Sequence, residues 1–203
     1  MNKDSQIERL FKQSINTKHD CIEQGFQPLY NMGDCIAQLI QNGGKIMLCG
    51  NGGSAADAQH LAAEMLIRLR PMNNREGVAA ISLAQDTSTI TACANDFGYD
   101  VQYERLLRAL GRSGDSLIGI TTSGNSNNVI LALQAAKELN IKAFGFLGCG
   151  GGEAMKYCDE EFIVPSHDTG RIQEAHITAG HALMEYIEDQ LIDSNYLHLK
   201  ESL

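Results

Sequence analysis

The sequence predicts an α/β protein with a doubly wound, five-stranded parallel sheet and an N-terminal helical hairpin. Five short apolar runs fit buried strands, and segments of helical periodicity separate them along the chain. Turns rich in glycine or in hydroxyl side chains follow several of these runs. Strands that alternate with helices in this way form a parallel sheet with right-handed crossovers. We therefore expect one α/β domain.

Composition limits the function further. The chain has 203 residues, 43% hydrophobic and 20% charged, which is enough for a sizeable core. A net charge of −9 disfavours nucleic-acid binding, because phosphate backbones need clustered Lys and Arg, whereas a small phosphorylated substrate needs only local donors. The six cysteines form no Cys-x-x-Cys pair, and no apolar run has the length of a membrane span or signal peptide. These features predict a reduced, soluble, cytoplasmic protein without a membrane partner.

The N-terminal region predicts two helices. Residues 4 to about 42 show helical periodicity, and Gly25 with Pro28 marks the joint between the two helices. We assign residues 1–42 to this helical pair, as part of the same unit, and residues 43–203 to the α/β domain. This helical hairpin would cover a sheet face or form an oligomer contact. The apolar stripe of its first helix consists of Ile7, Leu10, Phe11 and Ile15.

The segment of residues 45–70 organises the rest of the chain. A buried strand is expected at residues 46–49, a glycine-rich turn at residues 50–54, and an Ala-rich helix after Ser54, which suits the N-cap. This arrangement directs backbone N–H groups and a helix N-terminus at an anion such as phosphate. Neither a P-loop nor a dinucleotide fingerprint fits the turn, so a tight turn without ligand is the alternative.

His60 and Glu64 lie four residues apart on this helix and therefore share a face. A His-x-x-x-Glu pair is frequent by chance, and a surface pair is the simpler interpretation of it. One to two turns after a glycine-rich loop, however, the pair becomes a candidate catalytic or metal-binding pair beside a phosphate site.

The remaining elements alternate as the fold class requires. Strands are predicted at residues 78–82, 116–120, 141–147 and 161–165, and helices at residues 87–93, 101–110, 127–139 and 171–192.

A second loop suited to an anion follows the third strand. Residues 121–126 carry hydroxyl side chains beside a helix N-terminus, and such groups bind phosphate without Arg or Lys. A capped turn is the alternative. Two such loops at the carboxyl ends of parallel strands are typical of a ligand crevice in an open α/β sheet.

The last helix carries two histidines that point in different directions. On a helical wheel, His176 falls within the stripe of Ile172 and Leu183, whereas His181 shares another face with Gln173. His176 is therefore expected in the core, and His181 is the better site candidate. Apolar residues on both faces imply that a second subunit covers this helix.

Five motifs together resemble the SIS (sugar isomerase) domain family, and within it the isomerases of heptose phosphates. The motifs are residues 49–54, His60-x-x-x-Glu64, residues 95–98, residues 122–126 and residues 171–174. The resemblance covers nearly the whole chain. It implies a flavodoxin-like sheet and a homotetramer with sites between subunits. It also implies isomerisation of sedoheptulose 7-phosphate to D-glycero-D-manno-heptose 7-phosphate, for lipopolysaccharide precursors, by zinc-assisted proton transfer through an enediolate.

The resemblance also implies the roles of individual residues. The residues expected to contact the sugar phosphate are Asn51, Gly52, Gly53, Ser54, Glu64, Asn95, Asp96 and Gln173. Those expected to hold its phosphate group are Thr121, Thr122, Ser123 and Ser126. One zinc ion per subunit would be bound by His60, Glu64, Gln173 and His181. Glu64 and His181 would carry out the proton transfers.

A related branch of the family is not enzymatic, and it supplies the alternative. Its members have the same fold and tetramer, bind the replication initiator DnaA, and lack the carboxylate at the position of Glu64. This chain keeps Glu64, which favours the enzyme, whereas Ala55 and Ala56 resemble the regulator. At Gly170, just before the Arg-Ile-Gln motif, the isomerases often carry an aspartate; here Asp168 lies two residues earlier.

Overall fold

The five predicted strands form one all-parallel sheet, in the order β2-β1-β3-β4-β5. The computed structural model describes residues 3–200. Its strands are β1 (Ile46–Gly50), β2 (Ala80–Ser82), β3 (Ser116–Thr121), β4 (Lys142–Leu147) and β5 (Glu160–Ile163). This architecture confirms the predicted fold class.

The helices also lie where the periodicity predicts them. They are α1 (Lys3–Gln24), α2 (Gln27–Gln41), α3 (Gly53–Leu66), α4 (Thr87–Asp96), α5 (Gln102–Leu110), α6 (Asn127–Glu138) and α7 (Thr169–Asp193). Short 3₁₀ turns follow α4 and β4. The helical pair α1–α2 packs on α7, and α2 also contacts β5. The boundary at residue 42 stays a prediction.

Each central strand sends alternate side chains into two separate cores. In β1, Ile46 and Leu48 face the core formed with α2, α3 and α7, whereas Met47 and Cys49 face the core formed with α5 and α6. Every residue of β1 and β3 is buried. Helices on both faces thus make the sheet doubly wound, as the continuous apolar runs predict.

The strand order reverses at β1, which places the two predicted anion loops side by side. β1 pairs with β2 on one side and with β3 on the other, and Gly50 at the end of β1 pairs with Ile120 in β3. In an open parallel sheet, ligands bind in the crevice outside the carboxyl ends of the strands at such a reversal. The fold therefore puts a candidate ligand crevice between residues 50–54 and residues 121–126.

The ends of α3 and α7 have clear physical causes. Asp168 caps α7, since its side chain accepts hydrogen bonds from the N–H groups of Gly170 and Arg171. The prediction that Ser54 caps α3 is wrong: the N-cap is Gly52, with φ of 56°, and Ser54 is buried within the first turn. A positive φ is needed for the tight turn after β1, so the helix begins two residues earlier than a cap at Ser54 would place it.

The apolar stripe of α1 does not cover the sheet within this chain. Ile7, Phe11, Ile15 and Ile22 are all more than 60% exposed. Of the two options for the helical hairpin, covering a sheet face is confirmed for α2, which packs against β5 and α7, whereas an oligomer contact through α1 stays a prediction. No helix in the described part of the chain has both the length and the apolar character needed to cross a membrane.

Candidate active site

An amide pair joins the two crevice loops. Asn51, in the turn after β1, and Asn128, in the first turn of α6, exchange two hydrogen bonds of 2.8 Å each. The hydroxyl of Tyr99 donates to the same Asn51 oxygen at 2.8 Å. Asn51 therefore aligns the two loops in this structure, and its predicted contact with substrate stays a prediction. Asn128 and Tyr99 were missed from the sequence because their partner lies far away along the chain.

Hydroxyl groups converge in the loop after β3. The Thr121 hydroxyl lies 2.9 Å from that of Ser126 and 3.4 Å from that of Ser123. Ser126 is the N-cap of α6 but makes no side-chain capping hydrogen bond. Its hydroxyl and the first N–H groups of α6 together suit a phosphate. Thr122, the fourth predicted member, is half-buried beside this group.

The glycine-rich loop after β4 supports this hydroxyl loop. A Cβ atom at Gly124 would lie 2.2 Å from the backbone oxygen of Gly151, so the two backbones touch. Ala154 N–H donates to Gly124 O at 2.9 Å, and Glu153 N–H donates to the Asn125 side chain at 3.0 Å. No role was predicted for this loop, although its three consecutive glycines at 150–152 were a signal for close backbone contact.

Three of the predicted metal ligands converge. One donor atom each from His60, Glu64 and His181 lies within 4.8 Å of the others. His60 Nε2 is 2.8 Å from His181 Nε2 and 3.3 Å from Glu64 Oε1. Gly180 makes this convergence possible, because a Cβ atom there would lie 2.6 Å from the side chain of Leu61. α3 and α7 therefore pack closely enough to bring their histidines together.

This donor set fits zinc. Two imidazole nitrogens and one carboxylate oxygen, with a position left for substrate, are the ligands of a catalytic zinc site. Adjacent donors in a tetrahedral site with bonds of about 2.0–2.1 Å lie roughly 3.3 Å apart. The distance from His60 Nε2 to Glu64 Oε1 matches this value. The distance from His60 Nε2 to His181 Nε2, at 2.8 Å, would have to increase slightly. The His60 side chain is 46% exposed, so the cluster is open to solvent.

Gln173 lies nearer the N-terminus of α7 than His181 does. A Cβ atom at Gly53 would be 2.5 Å from Gln173 Nε2, so the Gln173 amide packs against the glycine-rich turn. Gln173 precedes His181 by eight residues, or roughly 12 Å along a helix. The structure thus places Gln173 at the loop end of the crevice. Its role as a fourth zinc ligand stays a prediction.

Asp57 is a neighbour of the cluster that the sequence analysis missed. Its Oδ2 atom is buried without a hydrogen-bond partner. Burial raises the pKa of Asp57, while the nearby His60 and His181 act to lower it. The spacing of Asp57, His60 and Glu64, at i, i+3 and i+7, was the signal that could have found it.

His176 lies in the core, as the helical wheel predicts. It is 1% exposed, and its Nε2 donates to the backbone oxygen of Leu147 at 2.9 Å. Burial lowers the pKa of His176 to about 4, so the ring is neutral at neutral pH. His176 is therefore a structural residue, distinct from His181.

Asn95 and Asp96 lie at the exposed C-terminal end of α4, where the Asn95 amide donates to Asp96 at 2.7 Å. The segment just after them reaches the crevice, since Asp100 accepts a hydrogen bond of 3.0 Å from Asn127 at the start of α6. The predicted contact of Asn95 and Asp96 with substrate stays a prediction.

The sheet, its crevice and the N-terminal helices define a SIS-domain protein, and the SIS domain family model matches residues 9–148. The chain belongs to the phosphoheptose isomerase family of aldose–ketose isomerases. It is 45% identical to the phosphoheptose isomerase of Clostridium acetobutylicum over 91% of this chain and 94% of that protein. It is 51% identical to the phosphoheptose isomerase of Paramagnetospirillum magneticum, over 80% of this chain and 83% of that protein.

Solved structures agree with these relatives. A phosphoheptose isomerase from Neisseria gonorrhoeae superposes with a TM-score of 0.85 at 41% identity, covering 92% of this chain and 98% of that one. A phosphoheptose isomerase from Francisella tularensis superposes with a TM-score of 0.89 at 32% identity, covering 93% of this chain and 100% of that one. These relatives are all named as isomerases, so the comparison does not favour the DnaA-binding alternative.

Proposed function

We propose that this chain converts sedoheptulose 7-phosphate to D-glycero-D-manno-heptose 7-phosphate, in the cytoplasm, for lipopolysaccharide precursor biosynthesis. The observation that carries the proposal is the convergence of His60, Glu64 and His181 in a chain of the phosphoheptose isomerase family. α3 begins in the glycine-rich turn and reaches His60 seven residues later, roughly 10 Å along its axis. A sugar phosphate with its phosphate at the loops thus extends its carbon chain toward the cluster.

Different residues of this chain bind the phosphate and transfer the protons. The hydroxyls of Thr121, Ser123 and Ser126 and the N-terminus of α6 hold the phosphate. The Glu64 carboxylate takes a proton from one carbon and returns it to the adjacent carbon. His181 moves a proton between the two oxygens on those carbons. Isomerisation therefore needs only proton transfers within one crevice.

Zinc completes this proposal. His60, Glu64 and His181 would hold the ion, with Gln173 as the proposed fourth ligand. When bound, zinc supplies polarisation of the carbonyl and hydroxyl oxygens, which stabilises the negative charge that develops on them. The contact of Glu64 with His60 is made through Oε1, and we propose that the other carboxylate oxygen takes the proton of the substrate.

A turnover assay tests the proposed function. Purified protein should isomerise sedoheptulose 7-phosphate, lose turnover on chelation, and regain it when zinc is added. Pentose and hexose phosphates serve as controls for sugar length, because the phosphate loop alone does not distinguish them. Full activity in metal-free protein would remove zinc from the mechanism, and inert zinc-loaded protein would refute the activity itself.

We further propose a homotetramer. The exposed apolar stripe of α1 supports it, since contiguous apolar surface on a soluble protein marks an interaction site. An open groove between α1, α2 and α7, lined by Ile22, Phe26 and Tyr30, reaches His181. A subunit covering this groove would border the active site. Sedimentation at micromolar concentration should give a tetramer, and a monomer would contradict the proposal.

A further inference from the structure

We propose that Arg75 and Glu188 are positioning residues, which hold the end of α3 against α7 and so set the geometry of the His60–Glu64–His181 cluster. The inference rests on the proposed function of that cluster. Neither residue touches the reacting groups. They act by fixing the backbone that carries Glu64 on one helix and His181 on the other.

Arg75 bonds both helices at once. Its side chain is fully buried, and its Nε donates to Glu188 Oε1 on α7. Its two remaining nitrogens donate to the backbone oxygens of Met65 and Glu64, at 3.0 Å each. These carbonyls belong to the last turn of α3, which ends at Leu66 and leaves them without helical partners. One guanidinium therefore ties the backbone of Glu64 itself to α7.

Glu188 is the anchor on the other helix. It follows His181 by seven residues, or two helical turns, and therefore lies on a similar face of α7. Its fully buried carboxylate also accepts hydrogen bonds from Arg70 and from Asn73, the latter at 2.8 Å. Burial pushes the pKa of Glu188 up, but the donors Arg75, Asn73 and Arg70 outweigh it and keep the pKa below its usual value. The carboxylate is therefore ionised at neutral pH and the bridge is intact.

The position of Glu64 explains why this bridge matters for the site. Glu64 lies in the last turn of α3, and the ends of helices fray. The contact between Gly180 and Leu61 fixes the two helices near His60 and His181, but it lies before Glu64. Arg75 provides the second fixed point beyond it. A carboxylate held between two fixed points keeps its distance to both histidines.

If Arg75 and Glu188 only stabilise the fold, the expected result differs from that of a positioning role. Two well-packed apolar residues often replace a buried ion pair without loss of stability. If Arg75 and Glu188 serve stability alone, the double variant R75M/E188M should bind zinc and turn over like the wild type. If they position Glu64, the same variant should fold and yet lose function.

The test therefore uses Arg75→Lys and R75M/E188M in the full-length protein. Lysine keeps the charge pair, but a single ammonium cannot reproduce the planar fork that bridges Glu188 and two carbonyls. The control is Glu138→Gln, which removes an exposed partner of Arg108. Three quantities are measured: zinc affinity by competition with a chromophoric chelator, thermal unfolding of the metal-free protein, and kcat with KM at saturating zinc.

We expect zinc affinity and kcat to fall by roughly tenfold or more in both variants, the range for groups that orient metal ligands. KM should be unchanged, because the phosphate loops are untouched, and the control should match the wild type. Wild-type zinc affinity and kcat in folded R75M/E188M would overturn the proposal. So would failure of both variants to fold, because the pair would then be required by the whole fold. If the wild type does not act on sedoheptulose 7-phosphate, the proposed function fails, but zinc affinity still decides the role of the pair.

Discussion

Glu64→Gln is expected to lower kcat by roughly 10²- to 10⁴-fold, the usual contribution of a general acid–base group. Glutamine keeps the shape of the side chain but cannot accept and return a proton. The carboxylate acts in the transition state, so the loss should appear mainly in kcat and less in KM. The measurement is steady-state turnover of sedoheptulose 7-phosphate at saturating zinc, so that weaker metal binding does not contribute.

His176→Gln is the matched control for this prediction. His176 is buried and neutral, with a hydrogen bond to Leu147 on the far side of α7 from the cluster. Its replacement should lower the free energy of unfolding and leave turnover per folded molecule unchanged. His181→Gln should instead lower kcat. If His176→Gln removes chemistry and His181→Gln keeps it, the assignment of the two histidines is wrong.

Glu64→Ser separates the enzyme from the DnaA-binding alternative. The enzyme requires the carboxylate, whereas the regulator does not. Isomerisation should be lost in this variant while the oligomer persists. Unchanged isomerisation would show that Glu64 is not the base and would reopen the alternative.

Local sequence patterns predicted the helices and strands, because the spacing of apolar residues along the chain shows whether one or both faces of an element are buried. The start of β2 shows where this fails. Val78 is buried and apolar, so the sequence places it in the strand, yet its N–H donates to Met65 O at the end of α3. The strand begins only at Ala80, since the backbone before it is bonded to a helix. Apolar character shows burial but not which partner the backbone chooses.

The parts of the site that lie on one helix were predictable, whereas the connections between elements were not. His60 and Glu64 share a face by spacing, and the helical wheel separates His176 from His181. The bridge from Arg75 to Glu188 spans 113 residues of sequence. Which arginine reaches which carboxylate depends on how α3 and α7 dock, and no periodicity within either helix contains that information.

Gly124→Ala is expected to raise KM for the sugar phosphate by roughly ten- to a hundredfold, equal to about 1.4–2.7 kcal/mol of lost phosphate binding. Gly124 has a φ of 67°, and a new Cβ atom would lie 2.2 Å from the backbone oxygen of Gly151. Neither backbone can rotate away as a side chain can, so the loop has to shift. Ser123 precedes Gly124 directly, and its hydroxyl would leave the group formed with Thr121 and Ser126. The value of kcat should change less, since Glu64 lies on another element.

Gly150→Ala provides the matched control, because it separates backbone strain from this contact. Gly150 also has a positive φ, of 78°, but no atom lies within 4 Å of a Cβ atom built there. Both variants therefore carry a comparable conformational cost, roughly 1–3 kcal/mol of stability, and only Gly124→Ala collides with its neighbour. Inorganic phosphate as a competitive inhibitor reports on the loop without the sugar, and its affinity should fall in Gly124→Ala alone. Equal KM and equal phosphate affinity in the two variants would show that the loop after β4 does not hold the hydroxyls in place.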